Sequence, residues 1–143
     1  MIKQSFSDFE REAMRERARE IRNEQGKKKN PSADLLEKIA EMPEKEAFIA
    51  SQLDLLVQKI APQLHPKTWY GMPAYANDDG KVVLFFQTAS KFKTRYNTLG
   101  FNDSATLDDG DMWPTAYALD VWNEKISGQV GALIKKATQK DNK

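Results

Sequence analysis

Cysteine is absent from the 143 residues, and histidine occurs once, at His65. Without thiols there are no disulfides, zinc–thiolate sites, iron–sulfur clusters or cysteine nucleophiles, a composition that suits a reducing cytosol. A single imidazole beside Pro66, with no second His to support it, leaves little for metal ligation or acid–base work, so His65 reads as a solvated loop residue. Charge of one sign is lacking as well. Lys plus Arg number 22 against 21 for Asp plus Glu, so no net field favours nucleic acid or an anionic membrane. No apolar run approaches the roughly 18 residues of a membrane-spanning helix, and Met1 to Glu12 is charged where a signal peptide would be apolar. The expected location is cytoplasmic. G-x-S-x-G, G-x-G-x-x-G and Walker spacings are also missing, which removes the usual warrants for a serine hydrolase or a nucleotide enzyme. With no catalytic constellation in view, the chain is expected to bind rather than to catalyse.

What is present is ordinary for one soluble domain: 40% hydrophobic and 30% charged residues, with 10% aromatic side chains to dominate the packing. A chain of this length buries roughly two thirds of the surface it exposes when unfolded, so one core suffices. Ser7 and Glu10 have capping-box spacing and open a charged helix that runs to Asn23 and stops before Gly26. Phe6, Phe9, Ala13, Met14, Ala18 and Ile21 share one side of it, with Glu10 and Arg17 among them, so it belongs at the periphery. Gly26 to Pro31 reads as a solvated, lysine-bearing linker rather than a nucleic-acid patch. Residues 1–30 are thus a charged helix and linker, and 31–143 the main domain.

Within that domain Ser32 caps a short helix through Ile39. Pro43 starts a longer one to Ala61, ended by Pro62. Ile49, Ala50, Leu53, Leu56, Val57 and Ile60 form one apolar stripe, and Phe48 with Leu55 a second, which predicts burial on two faces. The pattern then turns to strands: Thr68 to Ala76, a turn at Asn77 to Gly80, and Lys81 to Thr88. Phe92 to Phe101 reads as a third strand, Phe92, Thr94, Tyr96 and Thr98 on one side. Asn102 to Pro114 is an acidic loop, and Tyr117 to Leu119 either adds a short strand or begins the last helix. Leu119, Trp122, Ile126, Val130, Leu133 and Ala137 mark that helix, with Lys135, Lys136 and Lys140 near its negative end. Gly128 and Gly131 mark close packing or a break in it. Helices first, sheet next and a helix last give an α+β fold: an antiparallel meander of at least three strands packed with N-terminal and C-terminal helices.

Two constellations carry chemistry. The first is Trp69-Tyr70-Gly71-Met72-Pro73-Ala74-Tyr75, in which Trp69, Tyr70, Met72 and Tyr75 would wall an apolar pocket against Phe85, Phe86 and Trp113. Lys91 or Arg95 would anchor an anionic group there. The competing reading is a sheet kinked at Gly71 and Pro73 to close a core. Lys91, Lys93 and Arg95 at alternate positions suggest an anion or RNA track, or simply the solvent face of a strand, and nucleic acid is not the expected partner. The second constellation is acidic: Asp103, Asp108, Asp109 and Asp111 in one loop, with Asp78 and Asp79, offer hard oxygen ligands to iron or another cation without calcium-loop spacing. The competing reading, and the blander one, is that these are acidic turn residues that cap and solvate loops.

Lys67 to Tyr75, followed by Gly80-Lys81-Val82-Val83, Lys91-Phe92, Arg95-Tyr96, Thr98-Leu99-Gly100-Phe101, Leu107-Asp108-Asp109-Gly110 and Trp113-Pro114, resembles the YdhG-like family, a class of unknown function. The likeness covers roughly Leu35 to Ala137 and leaves the first helix outside. It implies a compact α+β domain with an antiparallel sheet flanked by helices. Some relatives are described as frataxin-like iron chaperones, so the resemblance implies iron binding and delivery, with an iron-receiving protein as partner. The alternatives are a small apolar or anionic ligand, or a protein-interaction module using the first helix. The chain is expected to be a monomer or a weak homodimer.

Overall fold

The computed structural model describes residues 7–25 and 30–139. The expected linker at 26–29, Phe6 on the first helix and Lys140 lie outside the described residues. Three helices come first: α1 (Asp8–Gln25), α2 (Pro31–Ala40) and α3 (Glu44–Ile60). They are followed by β1 (His65–Trp69), β2 (Met72–Ala76), β3 (Val82–Gln87), a short α4 (Ala89–Phe92), β4 (Thr98–Phe101), β5 (Ala116–Ala118) and α5 (Glu124–Ala137). The strands form one antiparallel sheet in chain order, β1 to β5. This is the α+β meander expected from the sequence, extended to five strands.

The capping box at the start of α1 forms as predicted. The Ser7 hydroxyl accepts from the Glu10 backbone N–H at 3.1 Å, and the Ser7 N–H donates to the Glu10 carboxylate at 3.2 Å. Helix α1 lies against α2, where Met14, Ala18 and Ile21 meet Ala33 and Leu36 in a small cluster of their own. The Arg11 guanidinium donates to the carbonyls of Ala40 and Met42, satisfying the C-terminal end of α2, and Arg22 pairs with Asp34 and Glu37. Phe9, placed on the apolar side by its spacing, is 83% exposed instead, because α2 covers a narrower stripe than the wheel suggests.

The cap of α2 is Asn30 rather than Ser32: its side chain accepts from the Ala33 N–H at 3.0 Å, and Pro31 takes the first helical turn, where it lacks no needed donor. Pro43 precedes α3 as its cap residue instead of opening the helix. The stripe of Ile49, Ala50, Leu53 and Val57 is buried as expected, but Leu55 is 59% exposed, so the second apolar face is not closed.

The main core lies between one face of the sheet and helices α2, α3 and α5. Tyr75, Leu84, Phe86, Leu99 and Phe101 face Leu35, Ile39, Leu53, Val57, Val130 and Ile134. A bulge helps. Ala76 pairs with Val82 and Tyr75 with Leu84, so Val83 is the extra residue, and both Val83 and Leu84 turn into the core. Gly131 lets α5 approach α3 closely, a Cβ there meeting Ile60 at 3.0 Å. Neither Gly128 nor Gly131 breaks α5, which is capped by Asn123 accepting from the Ile126 N–H at 2.8 Å. Leu119 and Trp122 are buried but precede that helix, while Tyr117 sits in strand β5.

Two predicted strands need correction. Thr68 to Ala76 is not one kinked strand: the chain reverses at Tyr70 and Gly71 and makes a hairpin of β1 and β2, Trp69 opposite Met72. Phe92 to Phe101 is mostly not strand either. Ala89–Phe92 is a helical turn, Lys93 closes it in the left-handed region at φ 56°, and only Thr98–Phe101 joins the sheet. The alternation of Lys91, Lys93 and Arg95 therefore does not line a strand face.

Candidate binding cleft

The Tyr70–Gly71 reversal is a two-residue hairpin loop with positive φ at both positions, 51° and 74°. That is the geometry whose backbone twist matches the flanking strands. Glycine takes it without cost, whereas tyrosine does not, and it is held there by rings on one side: Trp69 and Tyr70 lie with centroids 5.0 Å apart, edge to face, and Trp69 meets Phe85 at 5.2 Å. Phe85 in turn lies over Gly100, where a Cβ would come within 2.2 Å of its ring. Tyr70 itself is 76% exposed.

Beyond this turn stands α4. The Lys91 ammonium donates to the Tyr70 carbonyl at 3.2 Å and passes so close to Gly71 that a Cβ there would lie 1.7 Å from Nζ. The first turn of α4 is held from α3: Glu46 Oε2 accepts from the Ser90 N–H and hydroxyl, both at 3.0 Å. A cleft of about 290 Å³ results, lined by Lys38, Glu41, Met42, Pro43, Glu46, Gly71, Thr88, Ser90 and Lys91. Glu46 is only 6% exposed, and its other oxygen, Oε1, is buried without a hydrogen-bond partner.

Of the residues the sequence offered for an aromatic pocket, the structure gathers Trp69, Tyr70 and Lys91, with Met72 buried opposite Trp69. Tyr75 and Phe86 are not among them. Both are fully buried on the helix-covered face, and the Tyr75 hydroxyl donates to Asp54 at 2.7 Å. Strand alternation explains this: Tyr75 and Phe86 point to the core, whereas Trp69 and Phe85 point to the other face. Trp113 packs half-buried on the main core from the β4–β5 connection, and Arg95 stacks on Tyr96 at 5.1 Å. A larger apolar groove of about 490 Å³ opens between β5 and α5, along Leu99, Tyr117, Ile126 and Leu133, and none of the predicted site residues lines it.

The six aspartates do not converge. Asp78 sits in the β2–β3 turn and meets His65, the first residue of β1 rather than a loop residue, at 2.7 Å. Asp79 belongs to the same turn, where the Asn77 side chain accepts from the N–H groups of Asp79 and Lys81 at 3.0 Å each. Asp103, Asp108, Asp109 and Asp111 are exposed along the β4–β5 connection. Among the described residues no three His, Asp or Glu side chains come together in a way that could hold a metal ion.

Glu46, Lys38 and Ser90 were missed by sequence reasoning. A glutamate in a first helical turn ordinarily faces solvent and the helix dipole, so nothing in its spacing marks Glu46 as buried. The carboxylate that the sequence also left unremarked, Asp54, is buried deeper in the same helix. Burial pushes its pKa up from 3.8, against the hydrogen bonds from Tyr75 and Gln58 and the positive charge of Arg17. Burial first, and then Asp54, raise the Tyr75 hydroxyl well above 10.0.

Set against known proteins, the chain matches no family model, no curated protein and no solved structure. The α+β class rests on the coordinates themselves. No helix among the described residues is long and apolar enough to cross a membrane.

Proposed function

We propose that the chain is a non-enzymatic binding protein and that it holds a small polar molecule in the cleft beside the Tyr70–Gly71 turn, with Lys91 as the positive anchor. The observation that carries this reading is the turn itself. Tyr70 is kept in the left-handed region, its backbone carbonyl accepts from the Lys91 ammonium, and Lys91 lines the cleft together with Gly71. Strain of about 1–3 kcal/mol at one non-glycine residue persists where the surroundings over-determine it, and such positions gather at ligand clamps. The lysine offers a charge-assisted hydrogen bond to an anionic group. Iron delivery, which the YdhG-like resemblance implies, draws no support from the scattered aspartates.

Backbone amide shifts of the full chain, titrated with a library of small carboxylates and phosphates, test the reading. Saturable shifts at Gly71, Ser90 and Lys91 are expected, weakened about tenfold or more in Lys91→Met. Shifts centred instead on Tyr117, Ile126 and Leu133 would move the site to the apolar groove and overturn it.

A further inference from the structure

We infer that the groove between β5 and α5 is a second binding site and that its occupant is an alkyl chain with a carboxylate head, the chain lying along α5 and the head meeting Lys136. The inference goes beyond the binding reading above, since the place and the ligand class are both different.

The starting point is one face of a helix. Ile126, Gln129, Leu133 and Lys136 line the groove from α5 at steps of three, four and three residues. Side chains at these steps stand one above another on the same side of a helix, so they form a single row. At about 1.5 Å of rise per residue the row runs roughly 15 Å, with Ile126 at one end and Lys136 at the other. Leu99 of β4 and Tyr117 of β5 supply the facing wall. Strand β5 is the margin of the sheet, so no further strand closes the groove over.

Size and charge then select the occupant. The space of about 490 Å³ falls within the roughly 300–1,000 Å³ of small-molecule sites, and its walls are mostly aliphatic. Such walls reward a ligand that removes apolar surface from water. Among the described residues Lys136 is the only charged side chain on the lining, and no carboxylate stands there to oppose it. A molecule with an apolar body and one negative end matches both properties. A cationic head would find no acid, and a ligand charged along its length would press polar groups against Ile126 and Leu133 without partners. Lys136 is exposed, so its stem covers apolar surface while the ammonium stays at the mouth of the groove. The chain therefore supplies most of the affinity, and the head sets its direction. The Lys91 cleft differs on each count, being smaller and lined by charges of both signs.

The test titrates the isotope-labelled full chain with straight-chain carboxylates from butanoate to dodecanoate, each below its micelle concentration, beside the primary alcohols and amines of matching length. Saturable shifts of the Tyr117, Ile126 and Leu133 amides are expected, tightening about threefold to fourfold with each added methylene until the groove is full, so that butanoate leaves them unmoved. The alcohol matched to the best acid should bind about threefold more weakly, and the amine more weakly still. Lys136→Met, a change on the surface, should erase the preference for acid over alcohol and leave binding of the alcohol in place. Acids that bind no tighter than their alcohols would overturn the pairing of the head with Lys136. Shifts confined to Gly71, Ser90 and Lys91, or affinities that ignore chain length, would overturn the second site and leave the Lys91 cleft standing. Movement of the groove amides with protein concentration alone would make this face an interface between copies and overturn the inference as well.

Discussion

Helix α3 carries two carboxylates into the interior, Asp54 and Glu46, and the protein treats them differently. Asp54, 4% exposed, is completed on both oxygens: Tyr75 donates to Oδ1 at 2.7 Å and Gln58 to Oδ2 at 2.6 Å. Glu46 is completed on one oxygen only. Burial is nearly equal, so burial does not distinguish the completed acid from the incomplete one. The tally of donors does. Asp54 ties the helix to the centre of β2, while Glu46 ties it to α4 through Ser90 at the rim of the cleft.

The largest effect is expected at the completed site. Tyr75→Phe removes one of the two donors to Asp54 and leaves its oxygen buried, which should cost about 2 kcal/mol in urea unfolding. A loss below about 0.5 kcal/mol would show that water reaches Asp54 and that the two acids are alike after all.

Acidity gives a second contrast. Because burial raises the Asp54 pKa, the folded protein keeps this proton to higher pH than the unfolded chain does. Stability contributed by the protonated form is then lost as pH climbs from the ordinary value of 3.8 toward the folded one, and the curve flattens above it. The difference in unfolding free energy between the wild-type chain and Asp54→Asn should accordingly decline over that interval. A difference that grows with pH would mean that the Tyr75 and Gln58 hydrogen bonds outweigh burial. Tyr75, held protonated well past 10.0, continues to donate throughout.

The smallest effect belongs to Glu46→Gln. The amide oxygen can still accept from Ser90, and only the oxygen that already lacks a partner is exchanged for an NH2, so the loss should be about 1 kcal/mol or less, below that of Tyr75→Phe. A loss as large as that of Tyr75→Phe, measured by the same unfolding curve, would place Glu46 with the structural acids.

What the sequence made legible follows the same division between self-contained and long-range signals. The β2–β3 turn could be read because Asn77 supplies the acceptor and Gly80 the positive φ of 80° within one short stretch. The β1–β2 turn could not, since Tyr at its first position is not a residue that favours such geometry, and the flanking pattern imitates one continuous strand. The third strand was drawn too long for a related reason: alternation from Phe92 to Thr98 survives in a segment whose backbone is broken by Lys93. The α+β class was readable from the order of helical and alternating segments. At the cleft, Tyr70, Gly71 and Lys91 were visible as unusual residues in a short span, but Glu46 depends on Ser90, 44 positions away, and only the folded chain brings them together.

The sheet stops growing at both margins. At one, β1 contains Pro66, which brings no N–H, and Lys67, whose charge a neighbouring strand would have to desolvate. At the other, β5 offers a rung of three residues. Either margin is a poor template for a further strand, and a cross-β stack propagates only where each added chain finds a long, unpaired edge. The meander is thereby built to remain a five-stranded unit at high concentration, with recruitment into fibrils discouraged at each end.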